Sequence, residues 1–159
     1  MQSQTFMFEQ HKAGIFSYLM RMSGNYELSR DILQETFARF LEHYSNRPAS
    51  ASLLFTIARN AMVDHWRKSR NHSPFDEEQH HVHQTTAEHG ILIKESYRKM
   101  LDALKTLPED EREVISLAVS GELPYSEIAA IMNLTEANVK VKIHRARKKL
   151  REIIQGGRP

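Results

Sequence analysis

The fold is decided by the stretch Tyr125-Ser-Glu-Ile-Ala-Ala-Ile-Met-Asn-Leu-Thr-Glu-Ala-Asn-Val-Lys-Val-Lys-Ile-His-Arg-Ala-Arg-Lys-Lys-Leu150. Its apolar residues occur at positions that fit two short helices packed at a steep angle. They are Ile128, Ala129, Met132, Leu134, Val139 and Ile143. Ala129 is small where the two helices must approach closely, and Thr135 is a natural N-cap for the second helix. These features agree with one another, so the stretch predicts a helix-turn-helix.

The second helix of this stretch carries a basic face. No acid lies between Ala137 and Arg151. The bases of this run are Lys140, Lys142, Arg145, Arg147, Lys148, Lys149 and Arg151. A helix fits the major groove of DNA, and the neutralisation of phosphates supplies most of the raw affinity. We therefore predict DNA binding, and we regard a solvated basic surface helix as the weaker alternative.

Charge is unevenly distributed along the 159 residues. Residues 1–70 carry nine Lys and Arg against six acids, and residues 94–159 carry thirteen against ten. Residues 71–93 between them carry four acids and no Lys or Arg. Two basic blocks on either side of an acidic, histidine-rich spacer predict two modules that both face a polyanion.

Composition excludes several classes of protein. The chain has no cysteine, which excludes disulfide frameworks and cysteine-ligated zinc sites. No apolar run reaches the length of a membrane span, and the N-terminus lacks the basic and apolar regions of a signal peptide. We therefore expect a cytoplasmic protein with no membrane insertion. No nucleophile elbow or glycine-rich phosphate loop occurs, so we expect neither an enzyme nor a cofactor.

Apolar spacing predicts three helices in the N-terminal part of the chain. The first spans about 5–22 and is broken by Gly24-Asn25, and the second spans about 26–44. A turn follows around Pro48, because proline disfavours helix there. The third helix spans about 50–70, and the bases at its end suit the negative end of the helix dipole.

The rest of the chain changes character twice. Residues 71–90 have no apolar period and little to bury, which predicts a flexible linker. Helix resumes near Ile91 and runs to about Thr106. The next helix is predicted to carry Pro108 in its first turn and to end at Gly121. The two helices of the helix-turn-helix follow.

The predicted fold class is therefore all-α, with two small helical domains joined by a flexible linker. Residues 1–70 form the N-terminal domain, residues 71–93 the acidic and histidine-rich linker, and residues 94–159 the C-terminal domain with the helix-turn-helix. Two weak DNA contacts joined in this way gain from effective concentration, so neither domain need bind tightly alone.

With these elements in this order, the chain resembles a sigma factor of the small extracytoplasmic-function (ECF) type, a bacterial subunit that directs RNA polymerase to promoters. Four motifs carry the likeness, which covers about residues 5–154. Asp31–Phe37 resembles the polymerase-binding helix. Leu53–Asn60 with Asp64–Lys68 resembles the helix that opens and reads the −10 element. Leu104–Val114 resembles the entry to the second sigma domain, and the helix-turn-helix resembles the −35 reader.

The resemblance implies three sets of binding residues. The expected polymerase-binding residues, which would face the coiled coil of the largest subunit, are Asp31, Gln34, Glu35 and Phe37. The expected residues for the −10 element and its melted bases are Asn46, Ser50, Ser52, Arg59, Asn60, Asp64, Arg67 and Lys68. The expected residues for the −35 element are Thr135, Asn138, Lys140, Val141, His144, Arg145 and Lys148.

Some side chains in or near these sets have an alternative structural role. Phe37 fits the core as well as an interface. Asp64 can simply pair with Arg67 or Lys68 on its own helix, and Trp66 is expected in the core rather than stacked on a base. Val139, Ile143 and Ala146 are expected to face inward. Three bases of the last helix point sideways and are expected to serve phosphates or solvent, namely Lys142, Arg147 and Lys149.

The resemblance also implies partners: the RNA polymerase core, through its largest-subunit coiled coil and its flap, promoter DNA, and an anti-sigma factor or other regulator. Two rival functions stay open at this point. One is a conventional helix-turn-helix regulator that never binds polymerase. The other is a metal-sensing protein whose ligands would come from the spacer histidines, which are His80, His81, His83 and His89.

Overall fold

The computed structural model describes residues 2–70 and 94–156. Within these ranges the chain forms seven helices and no strand, which confirms the predicted all-α class. The helices form two compact units, one within Met1–Leu92 and the other within Ile93–Pro159. We call them the N-terminal unit and the C-terminal unit. The predicted linker, 71–93, lies outside the described residues.

The N-terminal unit contains α1 (Gln2–Ser23), α2 (Tyr26–His43) and α3 (Ala51–Arg70), and each helix packs against the other two. The predicted break between α1 and α2 is confirmed. Gly24 adopts a φ of 64°, which favours glycine, and its amide donates to the carbonyl of Met20 at 2.7 Å. Asn25 then caps α2, because its side-chain oxygen accepts from the Leu28 amide at 3.0 Å.

The core of the N-terminal unit is built around three large aromatic side chains. Tyr18, Phe40 and Phe55 are all fully buried, and the rings of Tyr18 and Phe55 meet edge to face at 5.7 Å. The loop from α2 to α3 is tied to this core by Ala49, which is also fully buried. Its last residue, Ser50, caps α3 by accepting from the Leu53 amide at 3.2 Å. The end of the loop is therefore held in place next to the start of α3.

The C-terminal unit contains α4 (Glu95–Lys105), α5 (Glu109–Ala118), α6 (Tyr125–Met132) and α7 (Glu136–Gly156). Helix α7 packs against all three others. Its core is aliphatic, and the side chains with no more than 2% exposure are Leu101, Leu104, Val114, Leu117, Ile128, Val139, Ile143 and Ala146. The long C-terminal helix is thus held along its inner face by three shorter ones.

Two predicted helix limits around α5 are wrong. Pro108 lies at the N-cap rather than inside the first turn. The helix ends at Ala118 rather than at Gly121, because the hydroxyl of Ser120 donates to the Leu117 carbonyl at 2.6 Å and the chain tightens into a turn. Gly121 has a φ of 73° and lies in that turn. Gly121 therefore follows the helix by three residues instead of ending it.

Candidate nucleic-acid and protein interfaces

Helix α7 separates an apolar inner face from a charged outer face. Val139, Ile143 and Ala146 are buried as predicted, at 0, 2 and 0% exposure. The other side of the helix is open to solvent. Its exposed residues include the predicted −35 contacts Asn138, Lys140, Val141, His144, Arg145 and Lys148. Val141 is 44% exposed although it is apolar, so these predicted contacts combine positive charge with an exposed apolar side chain.

The turn before α7 fixes how this helix begins. Asn133 adopts the left-handed conformation, with φ 56° and ψ 48°, and the next amide, of Leu134, donates to the Ala129 carbonyl at 2.8 Å. Thr135 then caps α7, since its hydroxyl oxygen accepts from the Asn138 amide at 3.1 Å. The predicted cap is confirmed. The role of Asn133 was missed, although asparagine is the residue after glycine that best tolerates this conformation.

Two lysines of α7 make ion pairs with another helix, which the sequence did not predict. Lys142 pairs with Asp110, and Lys149 pairs with Glu111 at 3.0 Å. The reason is geometric: the two lysines are seven residues apart on one flank of α7, and that flank faces the acidic first turn of α5. The hydrogen bond from Lys142 lowers the pKa of Asp110. Arg147 is exposed, as expected.

The predicted polymerase-binding residues lie on α2. Asp31, Gln34 and Glu35 are exposed and are neighbours on one side of the helix. Phe37 is half-buried, and its ring packs on the ring of Phe8 from α1 with centroids 4.2 Å apart. Phe37 is therefore neither fully in the core nor fully exposed. It lines a groove that α1 and α2 form together.

This groove between α1 and α2 has a volume of about 760 Å³. Its floor is largely aromatic, with Phe8, Phe16, Tyr26, Leu33 and Phe37. Its remaining lining residues are Glu9, Lys12, Ala13, Arg30 and Gln34. An apolar groove with charged and polar groups at its border suits a protein partner that needs both burial and orientation. Sequence reasoning missed the contribution of α1, although its two aromatic residues eight positions apart were a readable signal.

The predicted −10 residues are arranged along α3 and the loop before it. On the helix, Asn60, Arg67 and Lys68 are exposed, whereas Arg59 and Asp64 are half-buried. In the loop, Asn46 and Ser50 are exposed, and Ser50 also caps α3. Ser52 is half-buried in the first turn of α3, and its carbonyl accepts from the hydroxyl of Thr56 at 2.7 Å.

Arg39 connects two of the predicted sets, and sequence reasoning missed it. Its Nε donates to Glu35 at 3.0 Å on α2, and its Nη1 donates to Asp64 at 3.1 Å on α3. The hydrogen bond with Glu35 is the main cause of a raised pKa of Arg39. Asp64 also lies 3.8 Å from Arg67, as the alternative had suggested. The polymerase set and the −10 set therefore share one continuous surface.

Trp66 is only half-buried, so its expected place in the core is wrong. It borders a cavity of about 270 Å³ where α3 meets the junction of α1 and α2. The other lining residues are Ser23, Asn25, Leu28, His65, Ser69 and Arg70. The polar side chains at this junction explain the partial exposure, since they keep the indole from being enclosed by apolar groups alone.

The metal-sensing alternative requires a cluster of ligating side chains. Over 2–70 and 94–156, no group of three or more His, Asp or Glu side chains is placed to hold a metal ion. The four spacer histidines of the metal-sensor alternative lie outside those ranges. None of the described helices is long and apolar enough to cross a membrane.

Comparison with known proteins gives the same result for both units. Residues 7–72 match the family profile of Sigma-70 region 2, and residues 97–150 match that of Sigma-70, region 4. The ECF RNA polymerase sigma factor SigM of Bacillus subtilis (strain 168) is 31% identical over 159 residues, covering 95% of this chain and 94% of SigM. EcfG of Rhodopseudomonas palustris (strain TIE-1) is 28% identical, covering 87% of this chain and 77% of EcfG.

Solved structures share the fold. The sigma factor RpoE from Bartonella quintana, in complex with the anti-sigma factor NepR, superposes with a TM-score of 0.69 at 20% identity, covering 99% of this chain and 97% of that one. CnrH, in complex with the cytosolic domain of CnrY, gives 0.66 at 21% identity, covering 96% and 88%. The two family profiles and the 31% identity to SigM show that the chain belongs to the ECF RNA polymerase sigma factors of the sigma-70 family.

Proposed function

We propose that the two units divide the work of a sigma factor between the two promoter elements. The C-terminal unit reads the −35 element through α7, and the N-terminal unit binds core polymerase through α2 and opens the −10 element through α3. The observation that carries this proposal is the outer face of α7, which is exposed, free of acids from Ala137 to Arg151 and fixed at its start by a cap. The proposed site of action is the bacterial cytoplasm, where polymerase works.

Reading of the −35 element rests on a few side chains of α7. Arg145 is exposed and can grip the two acceptors of a guanine edge. Val141 offers an apolar contact to a thymine methyl, and Lys140 reaches a base edge or a phosphate. The hydroxyl of Thr135 accepts the cap bond and keeps its hydrogen for a phosphate oxygen. Phosphate contacts set the register, and base contacts select the sequence.

Opening of the −10 element rests on α3 and its preceding loop. Arg67 and Lys68 are exposed and can hold phosphates of the duplex just upstream of the melted bases. Unstacking costs on the order of 1.4 kcal/mol per step. Trapping an unstacked base offsets this cost. Polar groups at Asn46, Ser50 and Ser52 surround the entry to α3 and are our candidates for contacts with such a base.

Binding to the polymerase core is assigned to the exposed side of α2. Asp31, Gln34 and Glu35 would orient the coiled coil of the largest subunit, while the groove beside Gln34 would bury apolar side chains against Phe37. The flap would contact the C-terminal unit. A protein regulator is also proposed, because two solved structures that share this fold contain such a partner, the anti-sigma factor NepR in one and the cytosolic domain of CnrY in the other.

The test is binding of the full chain to bacterial core polymerase, measured beside the variant Gln34→Ala/Glu35→Ala. We expect the variant to lose at least about tenfold in affinity, as truncation of interface residues that matter costs more than 1 kcal/mol each. The control Gln10→Ala/Glu95→Ala removes one exposed amide and one exposed acid elsewhere and should bind like the wild type.

Two results would contradict parts of the proposal. If both double variants bind like the wild type, the α2 face does not contact polymerase. If the wild type binds promoter DNA but not core polymerase, the chain acts as a conventional helix-turn-helix regulator despite its family.

A further inference from the structure

Within the C-terminal unit, two lysines of α7 form ion pairs with acids of another helix, α5. Lys142 on α7 donates to Asp110, and Lys149 lies 3.0 Å from both carboxylate oxygens of Glu111. Both acids lie in the first turn of α5, and both lysines lie on the same flank of α7. The two pairs span 32 and 38 residues of sequence, so they are tertiary contacts that link α5 to α7 at two points along its length.

The two pairs are partly buried, and the carboxylate of Glu111 is the most buried of the four charged groups. Glu111 is only 7% exposed, and its Oε1 accepts no hydrogen bond from any described residue, so Lys149 is its charge partner. The side chain of Lys142 is 21% exposed. Removing the partner of a buried charge is costly, whereas an exposed pair contributes little. We therefore expect Lys149 to stay with Glu111 when DNA approaches, and Lys142 to be restrained by Asp110.

The pairs adjoin the proposed base-reading surface. A surface depression of about 440 Å³ is lined by Glu111 and Lys149 of one pair and also by Arg145, Lys148 and Glu152. Seven bases lie between Ala137 and Arg151 or at its end, but two of them are neutralised from the side of α5. The charge presented to DNA is therefore smaller than the sequence suggests and is centred on the reading residues.

From this arrangement we propose that Asp110 and Glu111 are specificity-determining residues of the −35 reader. They withhold Lys142 and Lys149 from DNA phosphates and fix the rotation of α7 about its axis. This inference rests on the proposed function of α7 in −35 recognition. Neither acid touches DNA in the proposed arrangement, so both act as positioning residues through the lysines that they hold.

The physical argument concerns the difference between specific and non-specific binding. Phosphate contacts favour every DNA sequence, whereas base contacts favour one. A specific complex has a single register, but non-specific complexes can adopt whichever orientation satisfies more phosphates. Two freed lysines would therefore strengthen binding to wrong sequences more than binding to the right one. Loss of the fixed rotation of α7 would weaken base contacts at the same time.

The test uses holoenzyme made from the full chain and core polymerase. Binding is measured over a range of salt concentrations to a promoter selected by the wild-type holoenzyme and to the same DNA with a scrambled −35 element. For Asp110→Asn/Glu111→Gln we expect a smaller ratio of specific to scrambled affinity. We also expect a salt dependence on scrambled DNA that is steeper by up to about 0.9 per freed lysine.

A matched control separates pairing from net charge. Glu95→Gln/Glu109→Gln removes two exposed acids from the same unit, including the neighbour of Asp110 in the first turn of α5. The control should keep the wild-type affinity ratio and salt slope. If it shifts both as much as the acid-pair variant does, the effect is one of overall charge and the proposal is wrong.

A lysine variant decides the question even if the acid variant folds poorly. In the wild-type background, Lys142→Gln/Lys149→Gln should leave the salt slope on scrambled DNA nearly unchanged, because these lysines do not contact phosphates. A slope reduced by about 0.9 per lysine would overturn the proposal. If instead the wild type itself does not distinguish the promoter from scrambled DNA, the proposed −35 function of α7 fails, which is a different result.

Discussion

The two units differ in how acids neutralise the basic helices that we propose to face DNA. In the C-terminal unit, the outer face of α7 contains no acid over its basic run, and the neutralising carboxylates approach from α5 on one flank. In the N-terminal unit, Asp64 lies within the basic part of α3 itself and is paired with Arg39 from α2. The arrangement in the C-terminal unit leaves the outer face of α7 free of acids over its basic run. The arrangement in the N-terminal unit links α3 to α2 through an ion pair.

This difference fits the two tasks that we propose. A helix that reads the −35 element binds an intact duplex. An exposed helix whose flanking lysines are already paired with acids can dock there without rearrangement. The −10 helix must act on strands that are being separated, and the proposed polymerase face of α2 lies next to it through the Glu35, Arg39 and Asp64 network. The comparison therefore suggests that α3 depends on a bound partner more than α7 does.

The largest effect is expected from a substitution on the acid-free outer face of α7. Arg145→Ala should weaken holoenzyme binding to promoter DNA with its −35 element by about 1–3 kcal/mol, because a bidentate base contact is lost. Binding to DNA with a scrambled −35 element should change less. The measurement is a pair of equilibrium titrations at one salt concentration.

Arg147→Ala is the matched control, since Arg147 is also an exposed arginine of α7 but lies outside the proposed reading set. It should weaken binding to both DNAs equally or not at all. An equal loss on both DNAs for Arg145→Ala would mean that Arg145 contacts a phosphate only, and the outer face of α7 would then be no more selective than the surface of α3.

A smaller effect tests the connection between α2 and α3. Arg39→Gln should lower the free energy of unfolding of the N-terminal unit by about 1 kcal/mol, since it removes two partly exposed ion pairs that share one guanidinium. Amide exchange in α1 to α3 under mild denaturant measures the loss for this unit. Arg67→Gln is the comparison, because Arg67 lies 3.8 Å from Asp64 and is 73% exposed. If Arg67→Gln lowers the free energy of unfolding as much as Arg39→Gln does, the ion pair between α2 and α3 contributes no more than an exposed pair within one helix.

The sequence predicted those features that depend on neighbouring residues. The break at Gly24-Asn25, the Thr135 cap and the buried face of α7 follow from turn chemistry and helical period over a few positions. The ion pairs between different helices could not be predicted in this way, because their partners are 25, 32 and 38 residues apart. Which carboxylate meets which base depends on how the helices pack. The same holds for the groove between α1 and α2.

Helix limits failed for a related reason. The sequence predicted that α5 ends at Gly121, but a turn that includes a bond from the Ser120 hydroxyl follows Ala118 before that glycine is reached. A serine side chain competes with the backbone in ways that a periodicity argument does not count.

The smallest expected effect concerns the pH dependence of the Asp110 and Lys142 pair. The hydrogen bond from Lys142 lowers the pKa of Asp110, so the carboxylate form is favoured by folding. A lowered pKa means that the stabilisation is complete above the ordinary carboxyl pKa and is lost as the pH falls through the lowered value. Because the Asp110 side chain is 50% exposed, we expect only a small contribution to stability.

A double-mutant cycle of Asp110→Asn and Lys142→Gln, measured by urea unfolding, isolates this pair from the favourable effect of the α5 dipole on any acid in its first turn. The coupling should be present at pH 7 and should vanish in strong acid. A coupling that stays constant with pH would mean that the two side chains interact through packing rather than charge. The contrast with the N-terminal unit would then weaken, because neutralisation of α7 from its flank is the feature that sets the two units apart.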